Sequence, residues 1–203
     1  MTTHVPAGTP DAAVDEVRAR EAVHTRERAA QGHVLRLWRP PLAPGEWRTL
    51  GLFAAASRAE LEQVLSSMPL RVWRSDEVQD LAPHPNDPPP GTTEAAGTGL
   101  EFLVTFTPVA PAAAEVAAQE ADAARVLAHQ GQLIRLWSLA SGSTGPALGL
   151  WRAVSEAQLQ TALAALPLRR YITTQTTKLT PHPSDPAAPG SRPRILGQGY
   201  RTS

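Results

Sequence analysis

QGHVLRLW at 31–38 returns as QGQLIRLW at 130–137, 99 residues further on. GLFAAASRAELEQVLSSMPLRVW at 51–73 returns as GLWRAVSEAQLQTALAALPLRRY at 149–171, with a spacing of 98. The one-residue difference falls between them, in RPPLAPGEWRTL against SLASGSTGPAL, where a loop absorbs a deletion at least cost. An unusual phrase then closes each copy: LAPHPNDPP at 81–89 and LTPHPSDPA at 179–187. A chain of 203 residues that writes one unit twice is constrained to two small folds of about 100 residues each.

The second copy carries the fuller set of signals. EFLVTFT (101–107), β-branched and aromatic, predicts a strand. The Ala-rich stretch 111–130 opens after proline and stops at Gly131, which predicts a helix. Residues 133–139 and 147–154 read as strands around a Gly/Ser/Pro loop. Ser155 predicts an N-cap, with Gln158 as its capping-box partner, for a second helix ending before Pro167. RRYITTQTTKL is the last strand. The order β-α-β-β-α-β predicts a ferredoxin-like unit in the α+β class. The first copy matches from its helix onward but has no counterpart of EFLVT, so its first strand is expected to be a stub, with about five residues lacking before Met1.

The expected organisation is a first repeat over 1–84, a Pro/Gly/Thr-rich linker over 85–99, a second repeat over 100–186 and a tail over 187–203. The two repeats are expected to form a pseudo-dimer, with chains assembling further into homo-oligomers.

Nineteen basic residues balance nineteen acidic ones, so no net field favours nucleic acid or an anionic membrane. The absence of cysteine excludes disulfides and thiolate chemistry. No apolar run predicts a signal peptide or a membrane span, and the expectation is a soluble, cytoplasmic protein with a small-molecule substrate. His84 with Asp87, and His182 with Asp185, offer two potential metal ligands per string where a site needs three or four. Pro85 and Pro88, with aspartate before proline, favour a strand-ending turn instead, from which either histidine could approach a neighbouring unit's pocket as a proton donor.

The string REAVHTRERAAQGHVLRLWR (20–39), followed by AELEQVLSSMPLRVW and a closing His-Pro-x-Asp, resembles the muconolactone isomerase family. That family is similar in its Arg-Glu pair in helix 1, its Leu-Trp-Arg strand, its Leu-Pro-Leu turn and its closing His-Pro-Ser. The resemblance covers about 90 residues of each copy and implies a ferredoxin-like fold. It also implies an oligomer and a cofactor-free proton shift within an unsaturated lactone of aromatic catabolism. Departures are the tandem fusion, a longer loop carrying Trp47 where tyrosine would be expected, and Gln119 and Ser138 where the first copy has Arg20 and Arg39.

A proton shift needs a base and an acid, and one carboxyl of raised pKa serves as both. The family's base matches Glu21 and, in the second copy, Glu120. Helical spacing puts Glu120 on a stripe with Val116, Ala123, Ala124 and Leu127, and Glu21 on one with Val14, Val17, His24, Thr25 and Arg28. Desolvation on such a face raises a carboxyl pKa. Glu21, His24 and Arg28 are therefore expected to line a polar cavity, and the second copy to be drier. Arg36 and Arg135 on the next strand are candidates either for anchoring a substrate carboxylate or for a purely structural ion pair with the glutamates. Trp38 and Trp137 alternate with them as pocket wall or core, and Trp47 is placed to cap a pocket. Rival functions are another cofactor-independent enzyme, such as a lyase, cyclase or dehalogenase, and a non-catalytic binding protein.

Overall fold

The computed structural model describes residues 1–89, 92, 99–139 and 145–188. Parts of the expected linker, of the loop after residue 139 and of the tail lie outside the described residues. The chain gathers into two units. Unit 1 is Met1–Asp76 together with the segment from Pro181, and unit 2 is Glu77–Thr180. Each unit thus holds the closing phrase of the other repeat.

Unit 2 contains β5 (Ala82–Pro83), β6 (Leu100–Pro108), α3 (Ala114–His129), β7 (Leu133–Ser138), β8 (Ala147–Ala153), α4 (Glu156–Ala164) and β9 (Ile172–Pro181). Its antiparallel sheet runs β9-β6-β8-β7-β5. The first four strands have the ferredoxin-like order, and β5, from the end of repeat 1, covers the edge that β7 would otherwise expose. The local signals act as read. Gly131 adopts φ +71°, and Gln132 N–H donates to Leu127 O at 2.9 Å, ending α3. Ser155 accepts from Gln158 N–H, while Gln158 Oε1 accepts from Val154 N–H. Phe102, Val104, Leu133, Leu159 and Leu163 form the fully buried centre.

Unit 1 contains β1 (Thr2–Thr3), α1 (Asp11–Ala30), β2 (Val34–Arg39), β3 (Leu50–Phe53), α2 (Arg58–Ser67) and β4 (Arg74–Ser75). The expected stub is present: β1 pairs with β4 over only two residues. β2 pairs antiparallel with β3. On α1 the stripe through Val17 and Thr25 is buried, while Ala12, Ala19, Val23 and Ala30, which make an alternative apolar face at helical spacing, are exposed. The two units are ferredoxin-like, one per repeat, with the first strand of repeat 1 reduced to a fragment. No helix among the described residues is long and apolar enough to cross a membrane.

Candidate active site

Pro69 and Pro167 open 3-10 turns over Pro69–Val72 and Pro167–Arg170. The first N–H after each proline lacks a partner within its turn and needs an external acceptor. In both repeats the helix-1 glutamate supplies it. Leu70 N–H donates to Glu21 Oε2 at 2.8 Å, and Leu168 N–H donates to Glu120 Oε2 at 3.0 Å. Burial raises both carboxyl pKa values, against the lowering effect of these hydrogen bonds.

From there the repeats diverge. Glu21 Oε1 also accepts from Arg74 Nη1 at 3.1 Å, and Arg74 Nε lies 2.7 Å from Asp76 Oδ1. Burial outweighs the opposing pull of Leu70, Arg74 and His24 on Glu21, and Asp76 adds to the rise. No cation pairs with Glu120 among the described residues, because Ile172 occupies the position equivalent to Arg74. The ion pair expected between the glutamates and Arg36 or Arg135 does not form. Strand alternation turns Arg36 away from the Leu37 and Arg39 side of β2, and no sequence signal short of comparing Arg74 with Ile172 pointed to the actual partner.

Glu21 opens onto a cavity of about 320 Å³, which is also lined by Arg18, Arg39, Trp47, Met68 and His182. The Arg18 guanidinium lies 4.4 Å from the Trp47 ring centre. Among the described residues no carboxylate pairs with Arg39. The cavity lies on the Arg18–Ala22–Thr25 flank of α1, so the expected polar set of Glu21, His24 and Arg28 is corrected. His24 and Arg28 fall on the other flank, where Arg28 bridges Gln31 Oε1 and Ser67 Oγ at 2.9 Å each. His24 Nδ1 is buried without a hydrogen-bond partner among the described residues.

The His-Pro-x-Asp phrase is a clip. Asp185, fully buried, accepts from Leu37 N–H at 3.1 Å and from Arg36 through Nε and Nη2 at 3.2 and 3.1 Å. His182 N–H donates to Leu37 O at 3.0 Å, so both backbone groups of Leu37 are taken by one turn. His182 Nδ1 accepts from Ser184 N–H at 3.1 Å. Burial, then Arg39, lowers the His182 pKa, against Asp185. The same clip recurs in unit 2. Asp87 holds Arg135 at 2.9 Å and Leu136 N–H, and His84 Nδ1 accepts from Asn86 N–H at 3.1 Å. Among the described residues no three His, Asp or Glu side chains group as metal ligands.

Arg36 and Arg135 are therefore engaged by aspartates, and each lies over a tryptophan ring, at 4.6 Å from Trp38 and 5.2 Å from Trp137. Both tryptophans are buried. Neither arginine, neither of these tryptophans, nor His84, lines the cavity beside Glu21. In unit 2, Phe106 packs over Gly149 where Met1 packs over Gly51 in unit 1, and its ring lies 6.2 Å from that of Trp151. Ala117, Ala124 and Ser138 replace Arg18, Thr25 and Arg39. A second cavity of about 390 Å³, between α3 and α4, holds none of the predicted site residues.

Residues 1–87 and 100–185 match the family model for muconolactone delta-isomerase. The chain belongs to that family. Over 86 residues it is 30% identical to muconolactone delta-isomerase 1 of Acinetobacter lwoffii, covering 42% of this chain and 86% of the relative. It is also 30% identical over 86 residues to the muconolactone delta-isomerase of Cupriavidus pinatubonensis, covering 90% of that protein. Arg18, Arg74 and Asp76 are the site groups that sequence reading missed, whereas Thr25 was placed on the Glu21 stripe. Arg39 was noticed only as a difference between repeats.

Proposed function

We propose that this member of the muconolactone delta-isomerase family is a cofactor-free isomerase of a small unsaturated lactone acid, with one working site per chain, in unit 1. The observation that carries this reading is the Glu21 carboxyl, held in place at a cavity and raised in pKa by burial. Such a group takes a proton from the ring carbon γ to the lactone carbonyl, and the C–H electron pair moves into the ring as a dienolate. The protonated Glu21 then returns the proton to the α carbon, which shifts the double bond and restores the carboxylate. Arg39 and Arg18 supply positive charge for the substrate carboxylate. Unit 2 keeps the glutamate but none of these cations.

A second reading rests on the shared turn. Because Glu120 caps its 3-10 turn as Glu21 does, the glutamate serves only the fold, and the protein binds a small molecule without turnover. Proton NMR of muconolactone-type lactones in D₂O separates the two. The isomerase reading requires protein-dependent migration of the ring double bond, lost by about 10²–10⁴-fold in Glu21→Gln, which still caps the turn, and retained in Glu120→Gln. No migration with wild-type protein would leave the binding reading.

A further inference from the structure

The closing clip does more than end a strand. His182 is delivered to the Glu21 cavity from the far end of the chain, and its ring is fixed in one tautomer. Ser184 N–H donates to Nδ1 at 3.1 Å, so Nδ1 presents its lone pair and the imidazole proton resides on Nε2. The backbone on either side is equally held. His182 N–H donates to Leu37 O at 3.0 Å, His182 O accepts from Asp185 N–H at 2.8 Å, and the Asp185 carboxylate is locked by Arg36 and Leu37. Among the described residues nothing accepts from Nε2. The result is a preorganised, uncharged N–H donor in the wall of the cavity that contains the raised carboxyl.

We infer that His182 is a second catalytic group of this site, donating a hydrogen bond from Nε2–H to the lactone carbonyl oxygen as Glu21 removes the ring proton. This rests on the isomerase reading for the identity of the reaction. The chemistry requires such a group. When Glu21 takes the γ proton, the electron pair left behind delocalises onto the carbonyl oxygen. That charge must be met by a donor already in place, since a site that reorganises during the step loses the benefit. No proton passes from His182: the one that Glu21 removes is the one it returns, and the hydrogen bond strengthens and then relaxes. Burial, then the nearby Arg39, favours the neutral ring against the opposing pull of Asp185, which preserves the Nε2–H tautomer. His84 shows the contrast. It has the same Nδ1 lock from Asn86, but it does not line the Glu21 cavity, and its own repeat-2 partner site lacks the cations.

The test compares wild type, His182→Phe and His182→Gln in two assays. The first is lactone isomerisation in D₂O. His182→Phe should lower kcat by about 10²–10³-fold with KM within a few-fold, and His182→Gln, which restores an N–H donor, should recover part of it. The second uses tetronate, a planar lactone enolate, and follows the His182 Nε2–H resonance by ¹⁵N NMR. Tetronate should shift that resonance in wild type, and should bind more than tenfold more weakly to His182→Phe. If wild type isomerises the lactone and both variants do so equally fast, the His182 inference is overturned and the isomerase reading survives. Should wild type catalyse nothing yet bind tetronate through His182, the isomerase reading falls and the enolate site stands. Tetronate binding that leaves the His182 resonance unmoved, or neither turnover nor binding, defeats the inference. If the Phe variant unfolds, the Gln variant and the resonance shift decide.

Discussion

Arg74 Nη1 stands 3.1 Å from Glu21 Oε1, and the same guanidinium is held by Asp76 at 2.7 Å, so the glutamate shares its cation with a second carboxylate. All three side chains are largely removed from water, with 3%, 13% and 8% exposure for Arg74, Glu21 and Asp76. The sharing explains why burial still wins and the Glu21 pKa rises despite an adjacent arginine.

Arg74→Met leaves the Glu21 carboxylate without its cation, and Asp76 with Arg71 alone, at 3.7 Å. It should cost about 3–5 kcal/mol in urea unfolding, the penalty for breaking a buried pair from one side. In whatever protein remains folded, the acid limb of turnover should move further toward neutral pH, because Glu21 loses a group that lowers its pKa.

The raised Glu21 pKa fixes the sign of the activity profile. The base must be ionised, so kcat/KM should rise with pH through a value above that of an ordinary glutamate. A rate profile flat down to ordinary carboxylate pKa values would show that Glu21 is not the base.

Glu120 offers the matching stability experiment. Its folded-state pKa lies above its unfolded one, so the folded protein binds the proton more tightly, and stability falls as pH rises through the interval between the two. Glu120→Gln removes that fall while its amide oxygen still accepts from Leu168. The variant should be at least as stable as wild type at neutral pH, and its unfolding curves from pH 4 to 8 should lose this component.

The two clips predict unequal losses. Asp185 is buried and its arginine partner is only 18% exposed, whereas Arg135, the partner of Asp87, is 45% exposed. Asp185→Ala should cost about 3–5 kcal/mol by removing the buried acceptor of Arg36 and of Leu37 N–H, and Asp87→Ala distinctly less. Asp185→Ala should also lower turnover, since the turn that places His182 goes with it. Equal losses by thermal unfolding would contradict the difference in burial.

Arg39 is exposed at the cavity and pairs with no carboxylate among the described residues. Arg39→Met should therefore leave Tm unchanged and raise KM for a lactone acid by about 10–100-fold, the worth of one charge-assisted hydrogen bond. An uncharged lactone should be indifferent to the change.

How far the sequence could be read follows from the range over which each interaction acts. The helices, the Gly131 stop, the Ser155 cap, the strands of repeat 2 and the stub of repeat 1 were all legible, because periodicity and turn chemistry act over a few residues. The repeat then supplied a control within one chain: the stripe through Glu120 identified the buried face of α1, where the first copy alone left two choices.

The sequence by itself therefore determined two ferredoxin-like units, the inward glutamate in each, and the family they resemble. Only the tertiary structure decided the partners of those glutamates. Arg74 is 53 residues from Glu21, and Asp185 is 149 residues from Arg36. Which of several arginines meets which carboxylate depends on strand alternation and on where distant turns close, and no local pattern encodes that. For the same reason, the flank of α1 that faces the cavity, and which of the two closing histidines reaches it, emerged only once the chain had folded.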